Sequence, residues 1–160
     1  MEKDVEIERK FVVADRTVLE GSEGCGLIQG YLQTSTERTI RVRIDRNEVA
    51  VLTVKGPRVG ATRYEAECSL PVGIAEQILA ECRQPLIIKT RYPVVAGGRM
   101  WVIDEFHDAN EGLLLAEIEL ASESEDVIVP EWCGSEVTTD ERYYNENLVA
   151  HPYRSWEHGS

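Results

Sequence analysis

Ionic side chains recur at every second position along much of this chain, with apolar residues between them. That alternation restricts the chain to a fold built mainly of strands. Residues i, i+2 and i+4 of a strand share one face. Glu6, Glu8 and Lys10 therefore fall together, as do Arg41 with Arg43, Arg63 with Glu65 and Glu67, Lys89 with Arg91, and Glu117 with Glu119. Lys55 and Asp104 add single charges. The positions between are largely apolar, as with Ile40, Val42 and Ile44, or Leu114, Ala116, Ile118 and Leu120. Strands are expected over 4–13, 27–34, 38–46, 49–56, 62–70, 86–95, 100–107 and 113–121. Turn chemistry separates several of them, at Asp45-Arg46-Asn47, Gly56-Pro57 and Gly97-Gly98. Helices are expected at Val72–Arg83, ahead of Pro85, and at Asp140–Ala150, behind Thr139 as a cap. Segment 14–26 shows no clear period. The pattern predicts an α+β, mostly β chain: a mostly antiparallel closed barrel with a few flanking helices, in one domain.

An ordinary sheet with a dry inner face and a wet outer face is the competing explanation for any one strand. Two features speak against it for the set. The polar face is nearly all Arg, Lys and Glu rather than a mixture with Thr, Ser and Gln, and the signs are segregated. Like charges opposite one another across strands destabilise a sheet, so something must bind them. Charged faces turned into a barrel must be satisfied by each other, water, a metal or a ligand. A polyphosphate needs several cationic donors, for which the guanidinium fork is suited. Mg²⁺ or Mn²⁺ needs hard carboxylate oxygens beside those phosphates. With no Gly-rich phosphate loop and no GxGxxG, side chains rather than backbone amides would hold the phosphates.

Composition narrows the partners. The formal net charge of -12 should repel nucleic acid and anionic membrane, so basic clusters here are not nonspecific phosphate binders. No apolar run approaches a membrane span, and the polar N-terminus has no signal-peptide core; a cytoplasmic protein is expected. Cys25, Cys68, Cys82 and Cys133 are scattered and read as reduced structural thiols. His107 and His151 are expected at the surface or at caps, Trp101, Trp132 and Trp156 in packing, and Glu123–Asp126 in a solvated turn.

In order along the chain, Glu6-Ile7-Glu8-Arg9-Lys10 is an ExExK pattern. It is followed by Gln29-Gly30-Tyr31-Leu32, Arg41-Val42-Arg43, Leu52-Thr53-Val54-Lys55, Arg63-Tyr64-Glu65-Ala66-Glu67, Lys89-Thr90-Arg91-Tyr92, Ile103-Asp104-Glu105-Phe106 and Ala116-Glu117-Ile118-Glu119-Leu120. Glu136-Val137-Thr138 and Arg142-Tyr143-Tyr144-Asn145 complete the series. The ordered set resembles the triphosphate tunnel metalloenzymes, or CYTH superfamily, and most of all the short bacterial inorganic triphosphatases. The resemblance implies an eight-stranded antiparallel tunnel over 1–156, with 157–160 a tail. It implies metal-dependent hydrolysis of tripolyphosphate to pyrophosphate and phosphate, by a monomer or homodimer. Carried over by position, Lys10, Arg41, Arg43, Lys55, Arg63, Lys89 and Arg91 line the phosphate path. Glu6, Glu8, Glu65, Glu67, Asp104, Glu117 and Glu119 form the metal side, with Asp104 also readable as a salt-bridge partner of a tunnel arginine. Lys89 and Tyr31 match positions linked to chemistry. Nucleotide or thiamine triphosphatases and adenylyl cyclases share the tunnel, and a non-catalytic polyphosphate-binding module is the alternative of another class.

Overall fold

In the computed structural model, residues 5–157 are described. Residue 4 of the expected first strand and residues 158–160 of the expected tail lie outside them. Nine strands form in order: β1 Val5–Val13, β2 Cys25–Thr34, β3 Thr39–Asp45, β4 Ala50–Val59, β5 Thr62–Leu70, β6 Ile87–Ala96, β7 Arg99–Phe106, β8 Leu114–Glu119 and β9 Cys133–Glu136. Two α-helices accompany them, α1 Val72–Glu81 and α2 Asn145–Ala150. The sheet runs β5-β4-β3-β2-β6-β7-β8-β1, and a further β5–β1 pairing closes it into an eight-stranded antiparallel barrel. Register through the closure sets Glu6 opposite Arg63, and on the other edge of β1 sets Glu8 opposite Glu119 and Lys10 opposite Glu117.

The ninth strand was not expected. β5 leaves β1 after Ile7, and β9 takes over the vacated edge at Phe11 and Val13. Its four residues carry no alternation to read, because backbone pairing rather than a buried face holds them. Gly56-Pro57, expected as a turn, lies inside β4, which runs on to Val59; the hairpin turns instead at Gly60, whose φ of 61° suits glycine. The expected 140–150 helix is a 3₁₀ turn over Glu141–Tyr143 followed by α2. The cap is Asp140, whose carboxylate accepts from the Arg142 amide, rather than Thr139. Within segment 14–26, Asp15 caps a 3₁₀ turn at Arg16–Leu19, and β2 then begins at Cys25.

Apolar packing lies outside the barrel and at one of its ends. Phe11, Trp101, Ile103, Ala116 and Ile118 turn outward from β1, β7 and β8 and are covered by Leu19, Val127 and Trp132; Trp101 meets Phe11 and Trp132 edge to face. The outer side of β3 and β4 packs Val42 and Ala50 against Ala75 and Leu79 of α1. Inside, Ile87, Phe106 and Leu115 pack with Leu148 and Val149 of α2, so the C-terminal segment stoppers one end. Trp156 packs edge to face on Tyr143 and Tyr153. All four cysteines are free.

β2 lies so near the segment after α1 that only glycine fits at residue 30. A Cβ there would stand 2.7 Å from the Cys82 Cβ and 2.9 Å from the Leu86 Cδ2. Gly30→Ala should cost about 1–3 kcal/mol, the usual range for overpacking. Thermal unfolding would read this as a loss of roughly 2–4 °C per kcal/mol. An unchanged melting temperature would show that the 82–86 segment yields.

Candidate active site

Alternation sends one face of every barrel strand inward, and these faces meet around a cavity of about 390 Å³. Lys10, Arg41, Arg43, Lys55, Arg63, Lys89 and Arg91 all line it. So do Glu6, Glu8, Glu65, Glu67, Glu117 and Glu119, and so does Tyr31. Asp104 does not; it stands behind the wall. Arg58, Thr39, Asn145 and Glu146 line the cavity without having been expected, together with Met100 and Val102 as its apolar part. At one end Glu6, Glu65, Glu67 and Glu119 surround an acidic recess. At the other, Arg58, Arg63 and Glu146 separate the cavity from a second one, bounded by Thr34–Thr36 and by Glu141, Tyr144 and Asn147.

Most cations here have carboxylate partners. Lys55 Nζ lies 2.7 Å from Glu6 and 3.3 Å from Glu65. Lys10 pairs with Glu117 at 3.2 Å, Arg63 with Glu146 at 3.1 Å, and Arg41 reaches Glu67 at 3.9 Å. Arg43 and Arg58 have no ion-pair partner among the described residues. Burial and the neighbouring Arg41 and Arg91 pull the Arg43 pKa below its ordinary value, as expected of a guanidinium short of an anion.

Along the wall, and backed by Asp104 and Gln29, a hydrogen-bonded chain links Lys89 to Tyr31. Asp104, 1% exposed, accepts from Lys89 Nζ at 2.9 Å and from Arg91 Nε and Nη2 at 2.8 and 2.9 Å. Register places Arg91 opposite Asp104 across β6 and β7. The Lys89 ammonium also donates to Asn145 Oδ1 at 2.9 Å. Because an ammonium only donates, the Asn145 oxygen must face it, and Gln29 Nε2 must then donate to that same oxygen, at 3.1 Å. Gln29 Nε2 also donates to the Tyr31 hydroxyl oxygen at 3.1 Å, which leaves the phenolic hydrogen free for another acceptor. Burial, with Glu146 nearby, raises the Tyr31 pKa and keeps the phenol protonated. Burial pulls the Lys89 ammonium down to about 8, with Asp104 opposing and Arg91 adding to the shift. Burial would raise the Asp104 carboxyl, but Lys89 and Arg91 outweigh it and hold it well below the usual range.

The carboxylates are crowded. Burial, then Glu117 and Glu6, push the Glu8 carboxyl well above its ordinary value. Burial and a hydrogen bond to Glu6 raise Glu65 to about 8. Burial works against ionisation of Glu6 too, yet the hydrogen bonds from Glu65 and Glu8 and the charge of Lys55 hold it low. Among the described residues no three carboxylate, imidazole or thiol groups already converge on one point. The lining, rich in glutamate oxygens and without histidine or cysteine, nevertheless suits a hard divalent ion.

His107 lies at the start of a 3₁₀ turn, with Nε2 2.7 Å from Thr90 Oγ1, and His151 is exposed; neither reaches the cavity. Among the described residues no helix is long and apolar enough to cross a membrane.

The same strands carry the likeness to known proteins. The CYTH domain profile matches residues 4–153. An inorganic triphosphatase of Acetivibrio thermocellus is 42% identical over 153 residues, covering 95% of this chain and 97% of its own length. One from Nitrosomonas europaea is 34% identical over 148 residues, covering 90% and 96%. A crystal structure of an inorganic triphosphatase superposes with a TM-score of 0.66 at 33% identity, covering 90% of this chain and 93% of the other. With profile, relatives and barrel agreeing over nearly the whole length, the chain belongs to the CYTH domain family.

Proposed function

We propose that residues 1–156 work as one tunnel domain that hydrolyses inorganic tripolyphosphate to pyrophosphate and phosphate, with Mg²⁺ or Mn²⁺, in the cytoplasm, as a monomer or homodimer. The observation that carries this reading is the cavity itself: Lys and Arg beside crowded glutamates, carried by β1, β3, β4, β5, β6 and β8, with β2 adding Tyr31 and β7 the apolar Met100 and Val102. The two inorganic triphosphatases aligned along nearly its full length support the substrate.

Lys10, Arg41, Arg43, Lys55, Arg63 and Arg91 bind and orient the phosphates, offsetting charge that spreads over phosphoryl oxygens during transfer. Glu6, Glu8, Glu65, Glu67, Glu117 and Glu119 would hold the metal. A divalent ion there supplies Lewis acidity and charge neutralisation. Asp104, with both oxygens engaged, positions Lys89 and Arg91 rather than ligating. Tyr31 donates its free hydrogen to a phosphate oxygen. Lys89, with two of its three N–H groups engaged, directs the third toward the cavity. In its neutral form it accepts the proton of the attacking water.

Substrate choice is tested by turnover of tripolyphosphate, ATP and thiamine triphosphate side by side. Tripolyphosphate should lead, and preference for either organic triphosphate would reassign the substrate. EDTA should abolish hydrolysis. Glu8→Gln or Glu119→Gln should sharply raise the metal concentration needed, because Gln keeps the size but loses the charge. Full activity in metal-free buffer would overturn the metal assignment.

Lys89→Ala should lower kcat by at least about a hundredfold, as for loss of an acid–base group. Arg41→Ala should act mainly on KM, as for lost uniform binding. A lysine accepts a proton only when neutral. With Lys89 near 8 in the free enzyme, kcat/KM should rise with pH, by about tenfold per unit well below 8, and level off above it. A Lys89→Ala enzyme with normal kcat and raised KM would make Lys89 a binding residue.

A further inference from the structure

Arg58 enters the cavity by a backbone irregularity. Along β4, Thr53 lies opposite Glu67 and Lys55 opposite Glu65; then Arg58 lies opposite Arg63, so three steps on β4 match two on β5. The extra residue is a bulge at Gly56-Pro57. Proline has no N–H for the ladder and is tolerated at such a place. Without the bulge, the inward face of Lys55 would continue at Pro57 and Arg58 would point outward. With it, Arg58 lines both the main cavity and the second one.

The guanidinium brought in this way has no carboxylate partner among the described residues. Its Nε–H is hidden from water with no acceptor. Its cross-strand neighbour is another arginine, and the charge of Lys10 is also close. Its guanidinium carbon lies 4.2 Å from the centroid of the Tyr144 ring, which holds the group from behind and leaves its N–H edge for an acceptor. A buried donor without a partner, beside like charges, is unfavourable unless an anion completes it. The acidic recess shares no residue with the second cavity, so Arg58 stands at the end of the tunnel away from Glu6, Glu65, Glu67 and Glu119, where Glu146 is paired with Arg63.

We infer that Arg58 is a further phosphate-binding residue, one that holds the phosphate group of the substrate farthest from the acidic recess and so makes the tunnel discriminate three linked phosphates from two. This rests on the tripolyphosphate reading above.

The test is calorimetric titration of the full chain, with Mg²⁺ present, using imidotriphosphate as a triphosphate resistant to hydrolysis and pyrophosphate as the shorter anion. Arg58→Gln should weaken imidotriphosphate about tenfold or more, and pyrophosphate less than about threefold, since two phosphates can sit wholly among the remaining cations. Arg58→Lys keeps the charge but loses the fork; it should fall between, and it serves if the glutamine variant does not fold. In steady state both variants should raise KM for tripolyphosphate more than they lower kcat. Equal weakening of the two anions, or no weakening of either, would overturn the inference while leaving the tripolyphosphate reading intact. A wild-type chain that binds neither anion would overturn both.

Discussion

A barrel lined with charge cannot be held together by its own interior. Each buried ion costs desolvation energy that its partner at best repays. Cohesion here comes from the outer faces instead, where Trp101, Ile103 and Ile118 pack under Trp132 and Val127, and Val42 and Ala50 pack under α1. The inner apolar cluster is confined to the end that α2 closes. Backbone closure of β1 on β5 removes the free edges, so the ionic faces cannot splay apart into solvent. The shape of the site follows from this inversion: what would be the core of a small barrel is left as a cavity.

Charge order within the cavity follows from register rather than from loops. Lys10 meets Glu117 and Arg91 meets Asp104 because the strands pair residue by residue. Side chains mounted on paired strands move little, which suits a site that must hold phosphates in line for displacement. Asp104 shows how depth divides labour. One carboxylate behind the wall, shared by Lys89 and Arg91, fixes two cations whose ends remain available to the cavity.

Much of this was legible in the sequence because parity alone decides which residues face inward. Thirteen ionic positions and Tyr31 follow it and line the cavity. Parity fails where the backbone departs from uniform pleating: the bulge at Gly56-Pro57, read as a turn, reversed the facing of Arg58. It is silent about long-range placement, so nothing local showed that Asn145 and Glu146 would be carried across the barrel to meet Lys89 and Arg63. It cannot read depth either; Asp104 has the same inward parity as a ligand would, but the strand pairing beside it decides that both its oxygens are consumed. Gln29 escapes it as well, since a neutral amide on a charged face carries no signal until its hydrogen-bond partners are known.

The pairing inside the cavity also bears on how anion and metal act together. A polyphosphate bound as proposed among Lys10, Arg41 and Lys55 would compete with Glu117, Glu67, Glu6 and Glu65 for the same donors. Glu6 and Glu117, largely shielded from water, would then be charges without a partner, a state far costlier than the pair they left. On the proposed assignment, a divalent ion among those glutamates would relieve that cost, and the glutamates that held it would free the lysines for phosphate. Each ligand would therefore prepare the site for the other, and such coupling must be reciprocal because it is a single free energy. On that reading a chain of net charge -12 can take up a polyanion because segregation concentrates the cations where the phosphates would lie and leaves the excess carboxylate as the place for a metal.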